Sequence, residues 1–249
     1  MPKAASLKIA CRDDRLFAFA PETTALLVID MQREFFAPEE DGEPSPMREI
    51  VPRVAALAAL ARRLGVRVIH TREGYAPDLS DVTPYRASLD YVGYEGDLGR
   101  SLIRGEPSHD FIDEMKPEPG ETVVDKAGFS AFYASPLDNV LRASGIDHLL
   151  IAGVTTQCCV HSTLRDAVDR GYWCVTVADC CAASEPELHD AALWLIAGEG
   201  HLFGWICDLA DIERAAGTKA RTAARKSVSG SRSGAKPRPS KPRPPREGR

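Results

Sequence analysis

Six short apolar runs, each ending near a residue capable of chemistry, constrain this chain more than any other feature. They are TALLVID (24–30), VRVIHT (66–71), ETVVDK (121–126), HLLIAGV (148–154), WCVTVAD (173–179) and HLFGWIC (201–207). Segments with helical periodicity lie between them: IVPRVAALAALARRLG (50–65), PLDNVLRASG (136–145), a stretch from about Thr156 to Arg170, and EPELHDAALWLIAG (185–198). Gly65 and Gly145 close two of these helices, and Pro186 starts the last. Buried strands alternating with helices predict an α/β fold: a Rossmann-like, doubly wound, mostly parallel six-stranded sheet with helices on both faces. Such sheets place their sites at the carboxyl ends of strands. Asp30, Lys126 and the 153–159 turn all fall at predicted strand ends.

The chain divides into two parts by composition. Residues 1–216 read as one α/β domain. Residues 217–249 read as a basic, Pro- and Ser-rich tail that cannot form a core. The tail carries eleven Lys or Arg against one Glu, a net of +10, which leaves −15 on residues 1–216 out of a total of −5. No aromatic residue interrupts its basic run, so a solvated extension is preferred over a nucleic-acid contact. Residues 72–120 are polar and rich in Gly and Pro, but they contain Tyr75, Tyr85, Tyr91 and Tyr94. The expectation is an ordered lid or a subunit contact. No early segment reads as a secretory signal, and no apolar run reaches the length of a membrane span, which predicts a cytoplasmic, non-membrane protein. Seven cysteines without regular spacing argue against a disulfide framework, and the lack of a CxxC pair argues against structural zinc.

An amide is a poor electrophile. Cutting one takes a strong nucleophile, a proton for the leaving nitrogen and donors for the oxyanion. Cys159 follows Gly153-Val154-Thr155-Thr156 at a strand-to-helix junction, where backbone N–H groups and the helix dipole favour a thiolate. Asp30 can take the thiol proton, and Lys126 can hold the carboxylate and the thiolate. Each residue also has an ordinary reading: a small buried hydrophobe, a turn residue and a solvated charge. Their convergence at three strand ends of one sheet is what favours catalysis.

Three segments, LLVIDMQREFF (26–36), VVDKAGFSAF (123–132) and GVTTQCCVHSTLRDAVDRGY (153–172), resemble the isochorismatase-like cysteine hydrolases. The resemblance implies a catalytic triad of Asp30, Lys126 and Cys159, with Cys158 in a non-catalytic slot. It also implies a cis peptide at Val154–Thr155, an oxyanion hole from the backbone N–H groups of Thr155 and Cys159, and a homo-oligomer such as a tetramer. It implies attack on the carbonyl, loss of ammonia or an amine, and hydrolysis of a thioester. HTREGYAPDLSD (70–81), IRGEPSHDFI (103–112) and VADCCAASEPELHDAAL (177–193) are similar to the biuret hydrolase branch. Phe35 and Glu199 are the candidate substrate-binding residues. Glu199 stands where that branch carries Gln, which would suit a cationic urea such as guanylurea. Other amidases of the family, acting on ureidoacrylate, N-carbamoyl compounds or nicotinamide, are alternatives, as is a non-enzymatic binding protein. Nicotinamidases hold a metal on an Asp-x-His pair. This chain lacks one after its first strand, and His70 reads as a hydrogen-bonding residue, so neither metal nor other cofactor is expected.

Overall fold

The computed structural model describes residues 6–39 and 42–217. Apart from Gly217, the basic segment 217–249 lies outside the described residues. Among the described residues ten strands occur in chain order: β1 (Leu7–Ala10), β2 (Leu16–Phe19), β3 (Thr24–Ile29), β4 (Arg67–Glu73), β5 (Glu95–Gly96), β6 (Gly99–Arg100), β7 (Thr122–Lys126), β8 (His148–Val154), β9 (Trp173–Ala182) and β10 (Trp205–Cys207). The α-helices are α1 (Val51–Leu64), α2 (Pro84–Ala87), α3 (Leu137–Ala143), α4 (His161–Asp169) and α5 (Pro186–His201).

Six strands form one sheet in the order β10-β9-β8-β3-β4-β7, and every pairing in it is parallel. Each corresponds to one of the six apolar runs. The chain winds outward from β3 through β4 to β7, then returns to the other side of β3 as β8. The switch point therefore lies between β3 and β8, where doubly wound sheets open a crevice.

Strand alternation sorts the core into two layers. Leu26 and Val28 of β3 face Val54, Leu57 and Ala61 of α1, together with Leu209 and Ile212 of the helical stretch 209–217. Ala25, Leu27 and Ile29 face Leu141 of α3, Leu164 of α4 and Ile196 of α5. Helices thus cover both faces, as the alternating pattern predicts. No described helix is long and apolar enough to cross a membrane.

Several elements depart from the sequence reading. The β1–β2 hairpin, absent from that reading, packs Leu7, Ile9, Phe17 and Phe19 onto the α1 layer. Strand β4 continues past Thr71 to Glu73, because its charged end pairs in register with β7: Arg72 opposite Asp125, and Glu73 opposite Lys126. The last strand is confined to Trp205–Cys207. The long 72–120 segment is ordered. It encloses a small core of Tyr75, Leu102 and Ile103, and it carries α2 and the β5–β6 hairpin. His70 is buried in β4, where Nε2 meets Glu121 Oε2 at 2.9 Å and the ring lies edge-on to Phe111.

Gly153 joins β8 to the site. Its φ is +117°, and a Cβ there would stand 2.1 Å from the Ile29 carbonyl oxygen of the adjoining strand. Gly153→Ala should destabilise the protein by about 2–5 kcal/mol, from a disfavoured φ plus a backbone clash, as a lowered midpoint in thermal or urea unfolding. A second expectation concerns Glu121. Burial alone would raise its pKa, but Arg62, the Glu118 N–H and His70 outweigh burial and hold the carboxyl at about 2, below its ordinary 4.5. A depressed carboxylate stabilises the fold above its unfolded pKa and loses that contribution as pH falls through the folded value. Stability should therefore decline between about pH 5 and pH 2, and Glu121→Gln should cost about 2 kcal/mol at pH 7 while flattening that decline.

Candidate active site

The carboxyl ends of β3, β4, β7 and β8 bring four titratable side chains to one buried point. Asp30 follows β3 with φ 49°, a left-handed conformation that Asp tolerates better than most side chains. This turn takes the chain out of the sheet. The Asp30 N–H donates to Thr71 Oγ1 at 3.2 Å, and Thr71 Oγ1 donates back to Asp30 Oδ1 at 2.6 Å. Lys126 ends β7 with its side chain fully buried. Its Nζ lies 2.7 Å from Asp30 Oδ2, 2.8 Å from the Gly128 carbonyl oxygen, 3.6 Å from Cys159 Sγ and 3.8 Å from Glu73 Oε2.

Cys159 stands in one turn of π-helix, Thr156–Val160, that precedes α4. The sequence reading has an ordinary α-helix over this stretch. Instead, the Val160 N–H reaches back to the Thr155 carbonyl at 3.2 Å, five residues away, and the first turn is wide. The Val154–Thr155 peptide is cis, as the resemblance implies. Thr155 is the residue immediately before the π turn. Cys158 is half-buried beside Cys159, which is buried.

Glu73 is the residue that the sequence reading missed. Its backbone is fixed by Gln32, whose Oε1 accepts from the Glu73 N–H at 2.7 Å and whose Nε2 donates to the Glu73 carbonyl at 2.9 Å. The Cys159 thiol donates to Glu73 Oε2 at 3.6 Å. The other carboxylate oxygen accepts from Tyr75 Oη at 2.8 Å and Tyr91 Oη at 3.1 Å, and lies 3.3 Å from the Arg86 guanidinium. Arg86 is itself buried, stacked 3.4 Å over the Phe129 ring and hydrogen-bonded to Tyr91. Glu73 stands at the carboxyl end of β4, but the apolar run that marks this strand in the sequence ends at Thr71.

The neighbouring Cys158 thiol, burial, Asp30 and Glu73 all push the Cys159 pKa well above that of a free cysteine, and only Lys126 opposes them. Helix N–H groups do not offset two carboxylates and the loss of water. Burial alone would lower the Lys126 pKa, but Asp30, Cys159 and Glu73 together raise it, so the ammonium persists. Asp30, Glu73 and Cys159 offer ligand atoms within 4.8 Å of one another. The Lys126 ammonium lies within 3.8 Å of all three, so the cation of this cluster is part of the chain.

The two candidate substrate-binding residues fall differently. Phe35 is half-buried and packs on the Tyr75–Leu102–Ile103 cluster, one side chain away from Glu73. Glu199 lies in a kink of α5, between Gly198 and Gly200, with φ 51° and an exposed side chain. Its side chain is exposed, whereas Asp30, Lys126 and Cys159 are buried.

The Isochorismatase domain family matches residues 24–211. A ureidoacrylate amidohydrolase, RutB, of Methylorubrum extorquens is 32% identical over 212 residues, covering 80% of this chain and 84% of that protein. A crystal structure of a cysteine hydrolase from Pseudomonas syringae pv. phaseolicola superposes with a TM-score of 0.70 at 30% identity, covering 79% of this chain and 93% of the other. N-carbamoylsarcosine amidase from Thermoplasma acidophilum does so with a TM-score of 0.60 at 27% identity, covering 75% and 96%. The family match spans all four strand ends that build the buried cluster, and this chain belongs to the isochorismatase family.

Proposed function

We propose that the chain is a cysteine amidohydrolase that removes ammonia from a small ureido substrate through an acyl-enzyme on Cys159. The observation that carries this reading is the buried contact series in which Asp30 holds Lys126 at 2.7 Å and Lys126 meets Cys159 Sγ at 3.6 Å. One carboxylate of the cluster removes the thiol proton, and Sγ attacks the substrate carbonyl. The Thr155 and Cys159 N–H groups receive the developing oxyanion, where preorganised donors stabilise charge most effectively. Lys126 balances the charge on sulfur as it forms, and water then cleaves the thioester.

Substrate class rests on the names of similar proteins. Ureidoacrylate and N-carbamoylsarcosine both carry a terminal carbamoyl-amine group, and biuret shares it. Ureidoacrylate is the first candidate, since several amidohydrolases named for it are about 30% identical to this chain. Biuret, suggested by the 70–81 segment, is the second. Guanylurea, a cation that the exposed Glu199 carboxylate would suit, is the third.

The test is ammonia release from ureidoacrylate, N-carbamoyl amino acids, biuret, guanylurea and nicotinamide. Turnover of a ureido compound should be abolished in Cys159→Ala and largely kept in Cys158→Ala. Equal loss at both cysteines in folded protein, or preference for nicotinamide, would overturn the reading. Asp30→Asn and Lys126→Ala should each lower kcat/KM by at least about a hundredfold, with the double variant little worse than either. Near-additive losses in a kinetic double-mutant cycle would show that the two residues do not act as one unit.

A further inference from the structure

We infer that Arg86 determines the substrate specificity of this site: its guanidinium receives the carboxylate of a ureido acid whose carbamoyl end meets Cys159. The inference deepens the amidohydrolase reading and rests on it.

The hydrogen bonds of Arg86 are unevenly placed. The residue is only 6% exposed. Its Nη1 donates to Tyr91 Oη and lies 3.3 Å from Glu73 Oε1. The other edge of the guanidinium, Nε and Nη2, makes no hydrogen bond among the described residues. One face of the group rests on the Phe129 ring, 3.4 Å away, which fixes its plane. Nε and Nη2 side by side match the two oxygens of a carboxylate, and such paired, charge-assisted hydrogen bonds are the strong ones. Leaving that edge without an acceptor in a buried place is costly.

The surroundings give an acid end somewhere to sit. Arg86 and Phe129 form part of the wall of a cavity of about 390 Å3. Gly128, on the same wall, accepts from Lys126 Nζ at 2.8 Å, and that Nζ is 3.6 Å from Cys159 Sγ. Tyr85 and Tyr133 also line the cavity and are exposed, so it opens to solvent and an anion entering it is not stripped of all its water. Its one acidic residue, Asp166, is already engaged by Ser130 Oγ at 2.6 Å and Arg170 Nε at 3.4 Å. Arg86 is the only cation in the described lining.

Spacing links this cation to the nucleophile. Glu73 Oε1 is 3.3 Å from Arg86, and Glu73 Oε2 is 3.6 Å from Cys159 Sγ. A single carboxylate group therefore separates the guanidinium from the thiol. In a ureido acid a short carbon spacer separates the carbamoyl group from the carboxylate, which suits that interval. Lys126, the other cation near Sγ, is held by Asp30 at 2.7 Å. Biuret has an amide where the ureido acid has its carboxylate, and offers Arg86 only a neutral acceptor.

The experiment measures kcat/KM for ammonia release from ureidoacrylate and from biuret in wild type, Arg86→Met, Arg86→Lys and Tyr75→Phe. Wild type should favour ureidoacrylate by about tenfold or more, because a charged acceptor meets the fork of Arg86. Arg86→Met should lower the ratio of ureidoacrylate to biuret by about a hundredfold or more, and Arg86→Lys, which keeps the charge without the fork, by about tenfold. Arg86 also holds Glu73, but damage transmitted through Glu73 falls on both substrates and cancels in the ratio. Tyr75→Phe serves as the control, since it removes a donor to Glu73 and leaves Arg86 in place. Its ratio should stay within about threefold of wild type, a change too small for a lost charged hydrogen bond. An unchanged ratio in Arg86→Met would overturn the inference, as would a wild type that prefers biuret. A shift in Tyr75→Phe as large as that in Arg86→Met would overturn it too, by routing the effect through Glu73. If Arg86→Met does not fold, an unchanged ratio in Arg86→Lys decides against Arg86. Wild type that releases ammonia from neither compound would sink the amidohydrolase reading itself.

Discussion

A lysine ammonium buried away from solvent, with two carboxylates and a thiol around it, is the constraint on which the rest of this structure depends. An unpaired charge in such a place is prohibitive in free energy, and removing one partner of a buried pair commonly costs about 3–5 kcal/mol. Lys126 is satisfied only if the ends of β3, β4 and β7 and the turn after β8 arrive together. The parallel register supplies this. Glu73 and Lys126 are direct partners on adjoining strands, and Ile29, one residue before Asp30, is the partner of Gly153. The glycine is what lets β3 and β8 approach closely enough for Cys159 to reach the cluster.

Much of this was legible in the sequence because it follows from short-range pattern. The six apolar runs became the six strands, and the polar residue at the end of two of them marked Asp30 and Lys126. Glu73 escaped because Arg72 and Glu73 read as the start of a loop. Consecutive charges can extend a parallel strand when its neighbour carries opposite charges in register, and Asp125 and Lys126 do so here. That fact belongs to the pairing and is invisible in either segment alone.

The groups that raise the Cys159 pKa are hidden from the sequence for a related reason. Local sequence shows a helix start, which favours a thiolate, while the opposing carboxylates lie 86 residues away at Glu73 and further still at Asp30. Glu199 illustrates a different limit. Similarity can align a position, but it does not fix the direction of a side chain. Between Gly198 and Gly200 the backbone takes a left-handed turn, and the carboxylate points to water.

Arg86 and Tyr91 reach the core from the insertion between β4 and β7, a segment that contributes nothing to the main sheet. The groups that hold one oxygen of Glu73 are therefore encoded separately from the groups that hold the fold. Substitutions in that loop can change what holds Glu73 without touching any pairing of the main sheet. Chemistry and scaffold are inherited as one gene but adjusted as two modules, with a single carboxylate as the joint between them.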